Sequence, residues 1–181
     1  RDLKPENLFV AHLGRDRDFL KVLDFGLVKE LDSHEPVAGK RPRQQLTVAG
    51  ARPGTPGFMA PEQIVGTASI DQRADIYALG CVMFHALTGS PVFAGDVEAQ
   101  LLFAHVDVDP ETPSQRVGRP LHPGLEAVVM RCLAKDPSAR PQTMEAVDEL
   151  LAALSFERPW SQARARRWWG EVEAGRPPAD A

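Results

Sequence analysis

Arg1-Asp2-Leu3-Lys4-Pro5-Glu6-Asn7 opens the chain, and Asp24-Phe25-Gly26 begins seventeen residues after Asn7. Between them lie two apolar runs rich in strand formers, Leu8-Phe9-Val10 and Phe19-Leu20-Lys21-Val22-Leu23, separated by the polar turn Gly14-Arg15-Asp16-Arg17-Asp18. This pattern predicts a short antiparallel hairpin. Such a hairpin puts Asp2 and Asn7 on the loop entering the first strand and Asp24 on the loop leaving the second. Three oxygen-bearing side chains then share one end of it. A carboxylate to orient an attacking hydroxyl and hard oxygen ligands for magnesium are what phosphoryl transfer asks of a protein.

Downstream, the order of pieces matters more than any one of them. From Leu27 to Gly54 periodicity is lost and a long polar loop is expected, with the basic run Gly39-Lys40-Arg41-Pro42-Arg43-Gln44-Gln45 inside it. A solvated loop or a docking surface for acidic peptide explains that run better than nucleic acid, because the charges are few and no aromatics interleave. Gly54-Thr55-Pro56-Gly57-Phe58-Met59-Ala60-Pro61-Glu62 follows. Asp71 to Gly89 is apolar on nearly every side, acidic at its start and closed by glycine, the mark of a helix through the core.

A shorter helix is expected over Val97 to Val106, a proline-bearing loop from Asp109 to Pro123, and a helix over Leu125 to Leu133. After the breaker Asp136-Pro137 and Ser138-Ala139-Arg140-Pro141, Thr143 is placed to cap a last core helix from Met144 to Leu154. His85, a lone histidine among apolar neighbours, reads as a packed or capping residue.

This succession resembles the protein kinases. Asp2 to Asn7 is similar to the kinase catalytic loop without its leading His, Asp24-Phe25-Gly26 to the DFG motif, and Ala60-Pro61-Glu62 to the end of the activation segment. Phe58 departs from the pattern, in which Tyr is commoner. The D-I-Y form at Asp75-Ile76-Tyr77 is frequent among bacterial kinases, and Lys4 marks the serine/threonine class.

The resemblance implies Asp2 as catalytic base, Lys4 as the cation on the transferring phosphate, and Asn7 and Asp24 as ligands of Mg2+ or Mn2+, with ATP as the phosphoryl donor. It implies that Thr55 bonds Asp2 and Lys4, that Asp75 fixes the catalytic loop through backbone N–H groups, and that Arg140 pairs with Glu62. Thr47 is expected to be a regulatory phosphosite, its phosphate held by Arg1 and made by a second copy of the enzyme.

Composition supports an ordinary globular reading. The 181 residues are 25% charged and 43% hydrophobic with a net charge of −4, which gives no global sign of nucleic acid binding. The two cysteines, Cys81 and Cys132, sit in apolar helical runs without metal-ligand spacing and read as buried thiols of a reducing compartment. No apolar run reaches the length of a membrane span. The first residue falls inside a motif and no glycine-rich phosphate loop occurs, so the sequence reads as cut at this end, without an ATP-clamping lobe. The chain alone is accordingly expected to be inert and prone to associate.

Beyond Phe156 the character changes. Trp160, Trp168 and Trp169 bracket Arg164, Arg166 and Arg167 in an expected helix from Ser161 to Val172, followed by a Pro- and Gly-containing tail. Packing on the lobe and leading into another domain is preferred to a membrane-surface role, since Glu171 and Glu173 follow at once.

The expected architecture is mainly α with a small β-hairpin, a kinase-like fold limited to the large C-terminal lobe: residues 1–156 form the lobe and 157–181 a helical extension with a linker or tail. The expected activity is transfer of the ATP γ-phosphoryl group to Ser and Thr hydroxyls of proteins in the cytoplasm, with a parent protein that self-associates for trans-autophosphorylation. The alternative is a pseudokinase-like scaffold that binds protein partners without catalysis. A pseudokinase would normally lack Asp2, Lys4, Asn7 or Asp24, and all four are present.

Overall fold

The computed structural model describes residues 3–23, 55–66 and 70–176. A 3-10 turn, Pro5–Asn7, leads into strand β1, Leu8–Leu13, which pairs antiparallel with β2, Asp16–Val22, in the register Leu8 opposite Val22 and Val10 opposite Leu20. The hairpin closes through Gly14 and Arg15 alone, tighter than the five-residue turn expected. Gly14 takes φ 60, the left-handed conformation that a two-residue connection of this kind requires. Away from the turn the hairpin exposes apolar side chains on both faces: Phe9 is 58% exposed and Leu20 53%.

The expected helices follow in their order, together with two short ones that the sequence reading does not place. They are α1, Pro61–Val65; α2, Arg73–Thr88; α3, Glu98–Asp107; α4, Pro113–Val117; α5, Pro123–Cys132; α6, Met144–Ala152; and α7, Gln162–Glu173. The stretch expected as loop between Asp109 and Pro123 thus contains α4. Its cause is local: the Thr112 hydroxyl accepts from the Gln115 N–H, the Gln115 side chain accepts from the Thr112 N–H, and Pro113 occupies the first helical position. Such a five-residue helix is too short to show a 3.6-residue apolar period.

α2 is the pillar. Tyr77, Cys81 and Phe84 pack with Val92, Val129 and Leu133 on one side, and Ile76 packs with Val128, Cys132 and Val147 on the other. Burial on both flanks is why its sequence is apolar around most of its circumference. The crossing with α5 is close at Gly80, where a Cβ would lie 2.8 Å from the Cys132 Cβ and 3.1 Å from the Leu133 Cδ2. Gly89 ends the helix at φ 69, with its N–H on the His85 carbonyl. Cys81 and Cys132 are free, buried thiols, and burial pushes both up, Cys132 to about 11.

Thr143 caps α6 as expected, its hydroxyl accepting from the Ala146 N–H at 3.1 Å. Ser161 caps α7 in the same manner. α7 packs on the hairpin: the indole N–H groups of Trp160 and Trp169 both donate to the Asp18 carboxylate, at 2.6 and 2.5 Å. The Arg17 N–H donates to the Gln162 side chain at 3.1 Å, and the His12 ring meets Trp169 edge-on at 5.4 Å. Packing on the lobe, the preferred reading of the Trp-Arg helix, is therefore how α7 sits. No helix among the described residues is long and apolar enough to cross a membrane.

Candidate active site

The turn Pro5–Asn7 and the hairpin set the geometry of the candidate phosphoryl-transfer end. Pro5 has no N–H to lose and its fixed φ suits the first position of the turn, which the Asn7 N–H closes on the Lys4 carbonyl at 3.0 Å. Across the hairpin mouth the Leu23 N–H donates to the Asn7 carbonyl at 2.7 Å. Asn7 and Leu23 consequently flank the same end of the sheet. Arg1, Asp2, Asp24 and Thr47 lie outside the described residues. Among the described residues no group of three His, Cys, Asp or Glu side chains could hold a metal ion. The amide oxygen of Asn7 is a hard donor of the kind that suits Mg2+.

Lys4 reaches across to the segment before α1. Its Nζ donates to the Thr55 hydroxyl at 2.9 Å, joining the loop that precedes the hairpin to a turn far along the chain. That turn is a second 3-10 element, Pro56–Phe58, closed by the Phe58 N–H on the Thr55 carbonyl at 2.9 Å and packed through Phe58 against the core.

The end of the same segment is anchored by charge. Arg140 Nη1 and Nη2 donate to Glu62 Oε1 and Oε2 at 2.7 and 2.8 Å, a bidentate pair in which the Arg140 side chain is fully buried and the Glu62 side chain 8% exposed. The remaining donors of the guanidinium reach the carbonyls of Ala134, Arg73 and Lys135. Its plane also lies over the Tyr77 ring, 4.9 Å from the centroid. With every N–H used and a carboxylate opposite, the buried cation is fully compensated.

Asp75 stands half-buried in the first turn of α2, on the same helix as Tyr77. Arg1 and Asp2, where the loop it is expected to hold begins, are not among the described residues. Nearby, Arg73 grips Asp71 at 2.7 Å, and these hydrogen bonds hold the Asp71 carboxyl down to about 2.

Two residues escaped the sequence reading. His105, in the last turn of α3, is fully buried with Nδ1 2.9 Å from the Tyr77 hydroxyl. Lys135 donates to the carbonyls of Ala104 and His105, capping the end of α3, and lies 4.7 Å from the Phe93 ring centroid. Burial lowers the Lys135 ammonium to about 8. The sequence signal for His105 was only its place inside the helix expected over Val97 to Val106.

Comparison with known proteins agrees with this arrangement. Residues 1–151 match the family described as Protein kinase domain. The chain is 37% identical over 170 residues to the serine/threonine-protein kinase pkn3 of Myxococcus xanthus, covering 92% of this chain and 29% of that protein. It is 38% identical over 178 residues to Pkn1 of the same organism, covering 98% and 24%. With PknB of Mycobacterium tuberculosis it shares 39% identity over 144 residues, covering 79% and 21%. The chain thus spans between about a fifth and three tenths of the length of these relatives. From the matched residues and the fold together, the chain belongs to the protein kinase family.

Proposed function

We propose that the chain is the C-terminal lobe of a catalytically active serine/threonine protein kinase that transfers the γ-phosphoryl group of ATP to Ser and Thr hydroxyls of proteins. The observation that carries this reading is the Lys4 to Thr55 hydrogen bond of 2.9 Å, which joins the catalytic loop to the peptide-docking segment. In this reading Asp2 orients the substrate hydroxyl and takes its proton as the hydroxyl oxygen bonds to the γ-phosphorus and the bond to the β-phosphate oxygen breaks, releasing ADP. Lys4 places positive charge beside the transferring group, and Thr55 holds its ammonium. Asn7 and Asp24 would hold Mg2+ or Mn2+. The bound metal would neutralise charge on the β- and γ-phosphates. Asp75 steadies the loop, and the Glu62–Arg140 pair pins the docking segment to the helical core.

Residues 1–156 form the lobe in this reading, and 157–181 an extension whose helix α7 braces the hairpin through Asp18. The enzyme works in the cytoplasm, and one copy phosphorylates Thr47 of another, the phosphate then being held by Arg1. The scaffold alternative is disfavoured by the presence of Asp2, Lys4, Asn7 and Asp24 together.

The test is incubation of the full-length gene product with γ-labelled ATP, Mg2+ and a generic basic protein. Label in phosphoserine or phosphothreonine is the expected result. Nucleotide binding without any transfer would favour the scaffold.

A further inference from the structure

α7 lies beyond the residues that match the kinase family, yet its contacts with the hairpin gather at one place. In the ladder Ala11 faces Phe19 and Leu13 faces Asp16, so Arg17 and Asp18 of β2 together stand opposite His12 alone. Two residues against one make a β-bulge, where pairing is interrupted and the strand bends. All three of these residues are held from outside the sheet. Trp160 and Trp169 donate their indole N–H groups to Asp18 Oδ2 and Oδ1, at 2.6 and 2.5 Å, so each carboxylate oxygen has its own charge-assisted bond. The Arg17 backbone N–H finds its acceptor in the Gln162 side chain at 3.1 Å, and the Arg17 guanidinium donates to Glu173 at 3.4 Å. The His12 ring rests edge-on against Trp169 at 5.4 Å. Trp160 precedes the helix, Gln162 begins it and Glu173 ends it, so its whole length is registered on the bulge.

The hairpin needs such a hold. A two-stranded ribbon is marginal by itself, and Phe9, Val10, Phe19 and Leu20 are exposed among the described residues instead of filling a core. Its other end carries the chemistry proposed above, with the Leu23 N–H closing the mouth on the Asn7 carbonyl at 2.7 Å. A bulge sets the bend and the twist of the strands on either side of it. Whatever fixes the bulge therefore fixes, through the ladder from Ala11 and Phe19 to Leu8 and Val22, the direction in which Asn7 is presented.

We propose that Asp18 is a positioning residue for the metal-binding end of the hairpin: clamped by Trp160 and Trp169, it locks the β-bulge and makes the extension beyond residue 156 a working part of the catalytic unit. The peptide-docking segment is anchored separately, at Thr55 and at Glu62. Loosening the clamp consequently weakens metal binding and slows turnover, and it leaves capture of the acceptor protein alone.

This inference rests on the kinase reading above, and the experiment separates the two. Full-length wild type, Asp18→Ala, Asp18→Asn and the double variant Trp160→Phe with Trp169→Phe are compared in three measurements. These are phosphate transfer to myelin basic protein, Mg2+ titration by calorimetry with a non-hydrolysable ATP analogue present, and hydrogen exchange of the Leu23 amide. Asp18→Ala and the Trp pair should each lower kcat about tenfold, weaken Mg2+ binding about fivefold and speed Leu23 exchange about tenfold, with the acceptor KM within about twofold. Asp18→Asn keeps one oxygen to accept an indole N–H and turns an NH2 toward the other, so it should fall between. Adding Asp18→Ala to the Trp pair should cause no further loss, because both break the same bonds.

If Asp18→Ala does not fold, as judged by exchange in α2, the Trp pair and Asp18→Asn carry the test. Folded variants with wild-type Mg2+ affinity overturn the inference, even where Leu23 exchanges faster. An acceptor KM that rises as much as the Mg2+ requirement overturns it too. A wild-type protein that transfers no phosphate overturns the kinase reading instead.

Discussion

The Lys4 ammonium donates to the Thr55 hydroxyl at 2.9 Å across 51 residues of sequence, so the loop before the hairpin and the turn before α1 share one hydrogen bond. Removing the hydroxyl should cost turnover. Thr55→Val in the full-length protein is expected to lower kcat about tenfold to hundredfold, a bond to a charged group being worth roughly 1.5–3 kcal/mol, while Thr55→Ser stays near wild type. Steady-state kinetics with saturating ATP is the check. Equal rates for Val and Ser would mean the bond is idle during turnover.

Arg140 is the residue whose loss the fold should tolerate least. Arg140→Ala leaves the Glu62 carboxylate buried without its partner and strips three backbone carbonyls of a donor. Unfolding in urea should show a loss of about 3–5 kcal/mol. Arg140→Lys should recover little of it, because a single ammonium lacks the planar fork that meets both oxygens of Glu62.

Gly80→Ala tests the crossing of α2 and α5. The added methyl meets the Cys132 Cβ, an atom fixed to the α5 backbone that cannot rotate aside. A loss of about 1–3 kcal/mol is expected from overpacking, despite the better helix propensity of alanine. A more stable variant would show that the two helices separate without cost.

His105 gives stability a pH dependence. Burial first, then the Lys135 charge, lowers its imidazole from 6.5 to about 4, the Gly57 backbone opposing the shift, and its Nδ1 lies 2.9 Å from the Tyr77 hydroxyl. As pH falls below 6.5 the unfolded chain takes up the proton before the folded one. The contribution of the neutral ring is therefore complete above pH 6.5 and is lost progressively down to about 4. The full shift corresponds to roughly 3 kcal/mol. Denaturant unfolding of wild type and His105→Gln between pH 7 and 4.5 isolates this residue, the wild type losing more stability than the variant across the interval.

The parts legible in the sequence are those coded by local period or by ordered motifs. Apolar runs of strand formers on either side of a polar turn at Gly14 marked the hairpin, and the apolar run from Ile76 to Phe84 marked the pillar helix, because burial on both flanks leaves its record along the helix. The Glu62–Arg140 pair and the Lys4–Thr55 bond were reachable only through the kinase resemblance, since nothing local at either end announces a partner. α4 was missed because its signal is a capping box among prolines. The tie of Asp18 to Trp160 and Trp169 spans 142 and 151 residues and depends on how α7 lies against β2. His105 was overlooked for a related reason: its burial is made by Tyr77, Phe93 and Lys135, each on a different segment.

The central claim is phosphoryl transfer by an aspartate-assisted, metal-dependent site at the open end of the hairpin. Its most direct test is the rate of γ-phosphate transfer to a basic protein by the full-length enzyme as wild type, Asp2→Asn and Asp24→Ala, at saturating ATP and Mg2+. The account predicts turnover by the wild type and a fall in kcat of about a hundredfold or more in each variant, as loss of proton acceptance or of metal-held phosphate positioning demands. Near-wild-type turnover in either variant, with ATP still required, would contradict it.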